Sequence, residues 1–199
     1  MEYIKNFLSE VSEISKTIDP KSIDQMIQIL VEVRKNEGRV FFLGVGGSAA
    51  NCTHAVNDFR KLAGIECYSA TDNVAELTAR TNDEGWETVF KEWLTVSKLG
   101  PKDALFILSV GGGSLEKKVS VNLVNAIDLA LQRNSKIIGI VGRDGGYVAK
   151  KATAHVLVPT KNHQTITPQA EGWQGVIWHL MVSDPRLLKM SNKWESLTK

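Results

Sequence analysis

The sequence predicts an α/β fold: a three-layer sandwich with a five-stranded parallel sheet and two leading helices. Three observations carry that expectation. From residue 39 onward, short continuous apolar runs alternate with segments of helical periodicity. The runs are uninterrupted by polar residues, as in strands covered on both faces. Two of them, FFL and FIL, pass straight into glycine-rich turns, which suits strands entering crossover helices.

The elements follow in order. Tyr3, Ile4, Phe7, Leu8, Val11 and Ile14 recur at spacings of three and four, which predicts a first helix. Ile23, Met26, Ile27, Leu30 and Val31 predict a second, opened by Asp19-Pro20 as a capped start. Val40–Leu43 is the first strand, followed by a helix over Ser48–Leu62 that ends at Gly64. Glu66–Ala70 is a brief second strand, and Val74–Thr81 and Glu87–Lys98 read as helices. Ala104–Leu108 is the third strand, followed by GGGS and a helix over Leu115–Gln132. Lys136–Val141 and His155–Val158 are the last two strands, with a short helix near Tyr147–Lys150 between them. A final helix covers about Gln169–Met181, before Pro185.

The bulk properties fit one domain over residues 1–199, with 1–36 as a helical extension and 37–190 as the α/β core. Of the 199 residues, 43% are hydrophobic and 23% charged, which excludes disordered and collagen-like classes. The net charge of +2 is spread over both signs, so no basic stripe points to nucleic acid. No apolar run approaches the roughly 20 residues of a membrane span. The charged N-terminus lacks the apolar centre of a signal peptide, so the cytoplasm is the expected location. Cys52 and Cys67 stand in no metal-binding spacing and are expected to be buried and reduced.

Ligands of open α/β sheets bind at the carboxyl ends of the strands. Two turns there are candidates: Gly44-Val45-Gly46-Gly47-Ser48 and Ser109-Val110-Gly111-Gly112-Gly113-Ser114. Glycines let backbone amides approach an anion, and serine hydroxyls add donors. Tight turns need glycine in any case. Two such turns after two buried strands point beyond geometry to a phosphate. Neither turn has the full GxGxxG order or the GxxxxGK[ST] order, so a dinucleotide or a nucleoside triphosphate fits badly.

Three polar constellations remain. His54 and Asp58, four apart, share one helical face, where they suit a metal ion or a reacting sugar. Such a pair is also common on solvated helices. Glu171 and His179 stand in the apolar last helix and need partners, because unpaired burial of charge is costly. Eight residues span about 12 Å of helix, too far for one small ion. Either Glu171 lies in an irregular first turn after Pro168, or the two residues serve different sites in an oligomer. His155 and His163 have no such company and read as structural or surface residues.

At these residues the sequence resembles the sugar isomerase (SIS) domain family, and within it the phosphoheptose isomerases, over nearly the whole chain. That family's Asn-Gly-Gly-Ser turn, His and Glu match Val45-Gly46-Gly47-Ser48, His54 and Asp58. Its Asn-Asp pair, on the loop after the second strand and helix, matches Asn82-Asp83. Its Ser-Thr-Ser-Gly-x-Ser phosphate loop falls on Ser109 to Ser114, and its Gln and His of the last helix on Glu171 and His179.

The resemblance implies a homotetramer with active sites at subunit interfaces. It also implies one zinc per site, held by His54, Asp58, Glu171 and His179. The implied reaction interconverts sedoheptulose 7-phosphate and D-glycero-D-manno-heptose 7-phosphate through an enediol, in nucleotide-activated heptose biosynthesis. Asp58 would be the base and His179 the acid or ring-opening partner. Gly46, Gly47, Ser48, Asn82, Asp83, Ser109, Val110, Gly111, Ser114 and Glu171 would bind substrate. Val45, Asp58, Val110, Gly111, Pro168 and Glu171 depart from the family pattern. The competing expectations are an isomerase for another sugar phosphate, a sugar-phosphate sensor, or a protein that binds a replication initiator.

Overall fold

The computed structural model describes residues 1–190, so the final nine residues of the expected domain, 191–199, lie outside the described residues. The chain runs α1 (Glu2–Thr17), α2 (Pro20–Lys35), β1 (Arg39–Leu43), α3 (Gly47–Lys61), β2 (Glu66–Ser69), α4 (Val74–Asp83) and α5 (Val89–Val96). It continues through β3 (Ala104–Ser109), α6 (Val121–Gln132), β4 (Lys136–Val141), α7 (Gly146–Lys151), β5 (Ala154–Leu157) and α8 (Ile166–Ser183). The five strands form one sheet in the order β2-β1-β3-β4-β5, with every pairing parallel.

Strand alternation sends neighbouring side chains to opposite faces, and both faces are covered. Val40 and Phe42 of β1 join Phe106 of β3 in a cluster that takes in Ile14, Met26, Leu30, Phe59 and Trp178 from α1, α2, α3 and α8. Phe41 and Leu43 join Leu105 and Ile107 in the opposite cluster, with Phe90, Ile127 and Val148 from α5, α6 and α7. The three-layer architecture expected from the sequence is therefore present. The leading helical segment packs onto it. Met26, Ile27 and Leu30 of α2 are buried against the sheet, and Asp19 caps that helix through the amides of Lys21 and Ser22.

Two helical starts differ from expectation. Residues 115–120 do not begin α6. Ser114 and Val119 instead pair as a small antiparallel bridge, with Lys118 and Ser120 in the left-handed region. The apolar Leu115 and Val119 imitated a helical period, but both are exposed. At the other end α8 starts at Ile166, upstream of the expected Gln169, and carries Pro168 in its first turn, where a missing N–H costs nothing.

The strand order leaves β1 between β2 and β3, so the chain leaves β1 to one side and later returns on the other. That reversal opens a crevice at the carboxyl ends of β1 and β3, where ligands of such sheets bind. Both glycine-rich turns start there.

Candidate functional site

The first turn is shaped by its glycines. Gly46 has φ +63° and ψ −131°, a conformation closed to other residues, and it caps the start of α3. The Glu171 carboxylate fills the space over Gly47, with Oε2 2.5 Å from where a Cβ would stand. Ser48 is buried, and its hydroxyl accepts a hydrogen bond from Gln174 Nε2 at 3.1 Å. Asn51 Nδ2 donates to the Gln174 side chain and to the Glu171 carbonyl, both at 3.0 Å. Ser48, Asn51 and Gln174 thus form a polar seam that fixes α8 against α3. Sequence reasoning missed Asn51 and Gln174. The available signal was their spacing, each three residues beyond a singled-out position, Ser48 or Glu171, and so on the same helical face.

The second turn is braced by its neighbour. Ser109 Oγ accepts from the Gly112 amide at 3.0 Å, and Ser114 Oγ accepts from Lys117 N at 3.2 Å. The amides of Val148 and Tyr147 donate to the carbonyls of Gly112 and Gly113, tying this turn to the one after β4. Gly112 has a positive φ, and a Cβ there would collide with the Gly145 carbonyl. Val110 and Gly111 add no hydroxyl.

His54 and Asp58 on α3 meet His179 on α8. Asp58 Oδ2 lies 3.8 Å from His54 Nε2 and 3.8 Å from His179 Nε2. Asp58 Oδ1 is held by Asn57 Nδ2 at 2.8 Å, which leaves Oδ2 for the imidazoles. His179 Nδ1 lies 2.7 Å from the Gly175 carbonyl, which can only accept, so Nδ1 donates there and Nε2 is the nitrogen turned toward Asp58. Trp178 orients both rings. It stacks on His179 with centroids 3.5 Å apart and meets His54 edge-on at 4.8 Å. Both imidazoles are about half exposed, whereas the Asp58 side chain is 15% exposed. One ligand atom from each of the three residues falls within 4.8 Å of the others. Two neutral imidazoles and a carboxylate are a donor set that suits zinc.

The other sequence-derived residues are placed differently. Glu171 lies outside this cluster, because α8 is regular between it and His179 and holds them about 12 Å apart. The irregular-turn alternative is thereby excluded. Asn82 and Asp83 form the last turn of α4 rather than a loop; both are exposed, and Asn82 Nδ2 donates to Asp83 Oδ1 at 2.7 Å. Cys52 and Cys67 are free and buried, and burial drives both thiol pKa values far up. His155 is half-buried on β5, and burial lowers its pKa from 6.5.

Comparisons with known proteins agree with this frame. The SIS domain model matches residues 2–142. The lincomycin biosynthesis protein LmbN of Streptomyces lincolnensis is 28% identical over 188 residues, covering 89% of this chain and 66% of that protein. A phosphoheptose isomerase of Aliarcobacter butzleri is 30% identical over 167 residues, covering 80% of this chain and 84% of the relative. A phosphoheptose isomerase structure from Neisseria gonorrhoeae superimposes with a TM-score of 0.78 at 23% identity, over 90% of this chain and 93% of the other, which supports the fold. The chain belongs to the SIS domain family, on the side of it occupied by the phosphoheptose isomerases.

Proposed function

We propose that the chain is an aldose–ketose isomerase that interconverts sedoheptulose 7-phosphate and D-glycero-D-manno-heptose 7-phosphate. The observation that carries this is the convergence of Asp58 and His179 from separate helices, with a carboxylate oxygen 3.8 Å from an imidazole nitrogen. Isomerisation through an enediol needs a group that removes a proton from one carbon and returns it to the next. It also needs a second group that manages the proton on oxygen. Asp58 serves as the first and His179 as the second. His54, Asp58 and His179 are the residues that would hold zinc, which supplies Lewis-acid polarisation of a carbonyl when bound.

Helix geometry favours a site shared between subunits. Gly47 and Asp58 are eleven residues apart on α3, roughly 16 Å along its axis. The first glycine turn with Glu171, and the Asp58 cluster, therefore lie at separate points on one chain. A homotetramer that apposes one protomer's turns to its partner's cluster brings phosphate subsite and base together. The exposed imidazoles and the exposed Val176 and Leu180 of α8 suit such a covered face. A cytoplasmic location belongs to the same reading; no helix among the described residues is long and apolar enough to cross a membrane.

The test is turnover. Purified protein incubated with sedoheptulose 7-phosphate, with and without added zinc, is expected to form an aldose phosphate to an equilibrium mixture. Absence of product under both conditions contradicts the reading.

A further inference from the structure

We infer that Arg143 is the cation of the phosphate subsite, acting across the second glycine turn from its neighbouring loop. The inference rests on the isomerase reading only in taking the ligand to be a phosphate ester.

The second turn offers an anion only neutral donors. Its two hydroxyls, on Ser109 and Ser114, each accept a backbone amide, which leaves their O–H groups free to donate. The amides of Gly111 and Gly113 have no acceptor among the described residues, and they can form a small anion-binding concavity. A phosphate dianion held on two amides and two hydroxyls carries charge that none of these groups neutralises.

Arg143 lies beside that concavity. A Cβ on Gly111 would stand 3.6 Å from Arg143 Nη1 and 3.9 Å from its Cδ, so the side chain runs along the glycine. Backbone bonds from Gly142 to Ser109 and Val110, and from Tyr147 and Val148 to Gly113 and Gly112, fix the two loops to each other. The guanidinium therefore sits on a rigid mount. It borders a hollow of about 330 Å³ also lined by Gly111, Gly113 and Ser114. Lys117, Lys150, Glu116 and Asp144 line the same hollow, and none of the four forms an ion pair among the described residues.

Two further observations bear on Arg143. Arg34, Arg39, Arg60, Arg80 and Arg186 each donate to a carbonyl or a carboxylate, whereas Arg143 and the exposed Arg133 have no side-chain hydrogen-bond or ion-pair partner among the described residues, and of these two only Arg143 borders the turn. Its backbone also has φ +55°, an uncommon conformation for a non-glycine residue. Glu37, Lys98 and Asn134 share that sign of φ after helix ends, where it terminates the helix, and Lys118 and Ser120 share it in the loop before α6. Arg143 stands between a strand and a helix, where glycine would serve the backbone better. A planar guanidinium is suited to paired hydrogen bonds with phosphate oxygens.

The experiment measures inorganic phosphate binding by calorimetry, and steady-state kinetics with sedoheptulose 7-phosphate, for the wild type and three variants. Arg143→Gln is expected to weaken phosphate binding and raise KM by about 10- to 100-fold, with kcat within about threefold. Arg143→Lys should recover part of the loss. Arg143→Gly relieves the backbone, so its melting temperature should equal or exceed the wild type's while phosphate affinity still falls. Unchanged phosphate affinity in Arg143→Gln and Arg143→Gly overturns the inference, as does undetectable phosphate binding by the wild type. A wild type that binds phosphate through Arg143 but never turns over the heptose would defeat the isomerase reading and leave this inference standing.

Discussion

Asp58 Oδ2 on α3 stands 3.8 Å from His179 Nε2 on α8, and the contact exists only while those two helices keep their register. The polar seam of Ser48, Asn51 and Gln174 sets that register, and Trp178 wedges beneath both imidazoles. The chemistry assigned to the pair therefore depends on groups that never reach substrate.

Asp58→Asn keeps the size of the side chain and removes its basicity. Its kcat is expected to fall by about 10²- to 10⁴-fold, with KM and the circular dichroism spectrum little changed. Full activity in this variant would remove Asp58 from the role of base.

Zinc should stabilise the protein through His54, Asp58 and His179 together. Thermal melts with a saturating excess of zinc are expected to rise relative to chelator-treated protein, since a ligand that prefers the folded state stabilises it. His54→Ala and His179→Ala should each abolish most of that rise. A Glu171→Gln variant tested alongside asks whether α8 contributes a fourth ligand in the assembled protein. Zinc affinity unchanged in both histidine variants would place the metal elsewhere.

Gly47→Ala probes the first turn. The added methyl would press on the Glu171 carboxylate, which is the far end of a flexible side chain and can swing away. Stability should change by less than about 1 kcal/mol, as for a substitution relieved by a mobile neighbour. Turnover should nonetheless drop several-fold, because Glu171 is displaced from the crevice. Unfolding rather than slowed turnover would show that the space over Gly47 is needed for packing.

His155 gives the stability a pH dependence. Burial lowers its folded pKa below 6.5, so between those two values the unfolded chain binds more protons than the folded one. Stability should be full above pH 6.5 and decline as pH falls through that value toward the folded pKa. Denaturant unfolding at pH 7.5 and pH 5.5 measures the loss, and His155→Thr, which suits a strand, should flatten it.

The order of strands and helices was legible because buried parallel strands leave uninterrupted apolar runs, as in Val40–Leu43 and Ala104–Leu108. The glycine turns were legible for the same reason: they end those runs. His54 and Asp58 could be paired from spacing alone, since a helix brings positions four apart together. The approach of His179 could not, because it depends on how α8 crosses α3, and no local pattern encodes that. The approach of Arg143 to Gly111 was hidden for a related reason. Its turn is distant in sequence from Gly111, and hydrogen bonds between the loops bring the two together. The segment after Ser114 misled because Leu115 and Val119 fit a helical period while facing solvent.

The central claim is proton transfer between adjacent carbons of a heptose phosphate, and the most direct measurement follows solvent deuterium. Zinc-loaded protein incubated with sedoheptulose 7-phosphate in deuterium oxide is expected to yield aldose phosphate carrying deuterium at C2, with Asp58→Asn strongly slowed in the exchange. Recovered substrate with no product and no deuterium at any carbon would contradict the account.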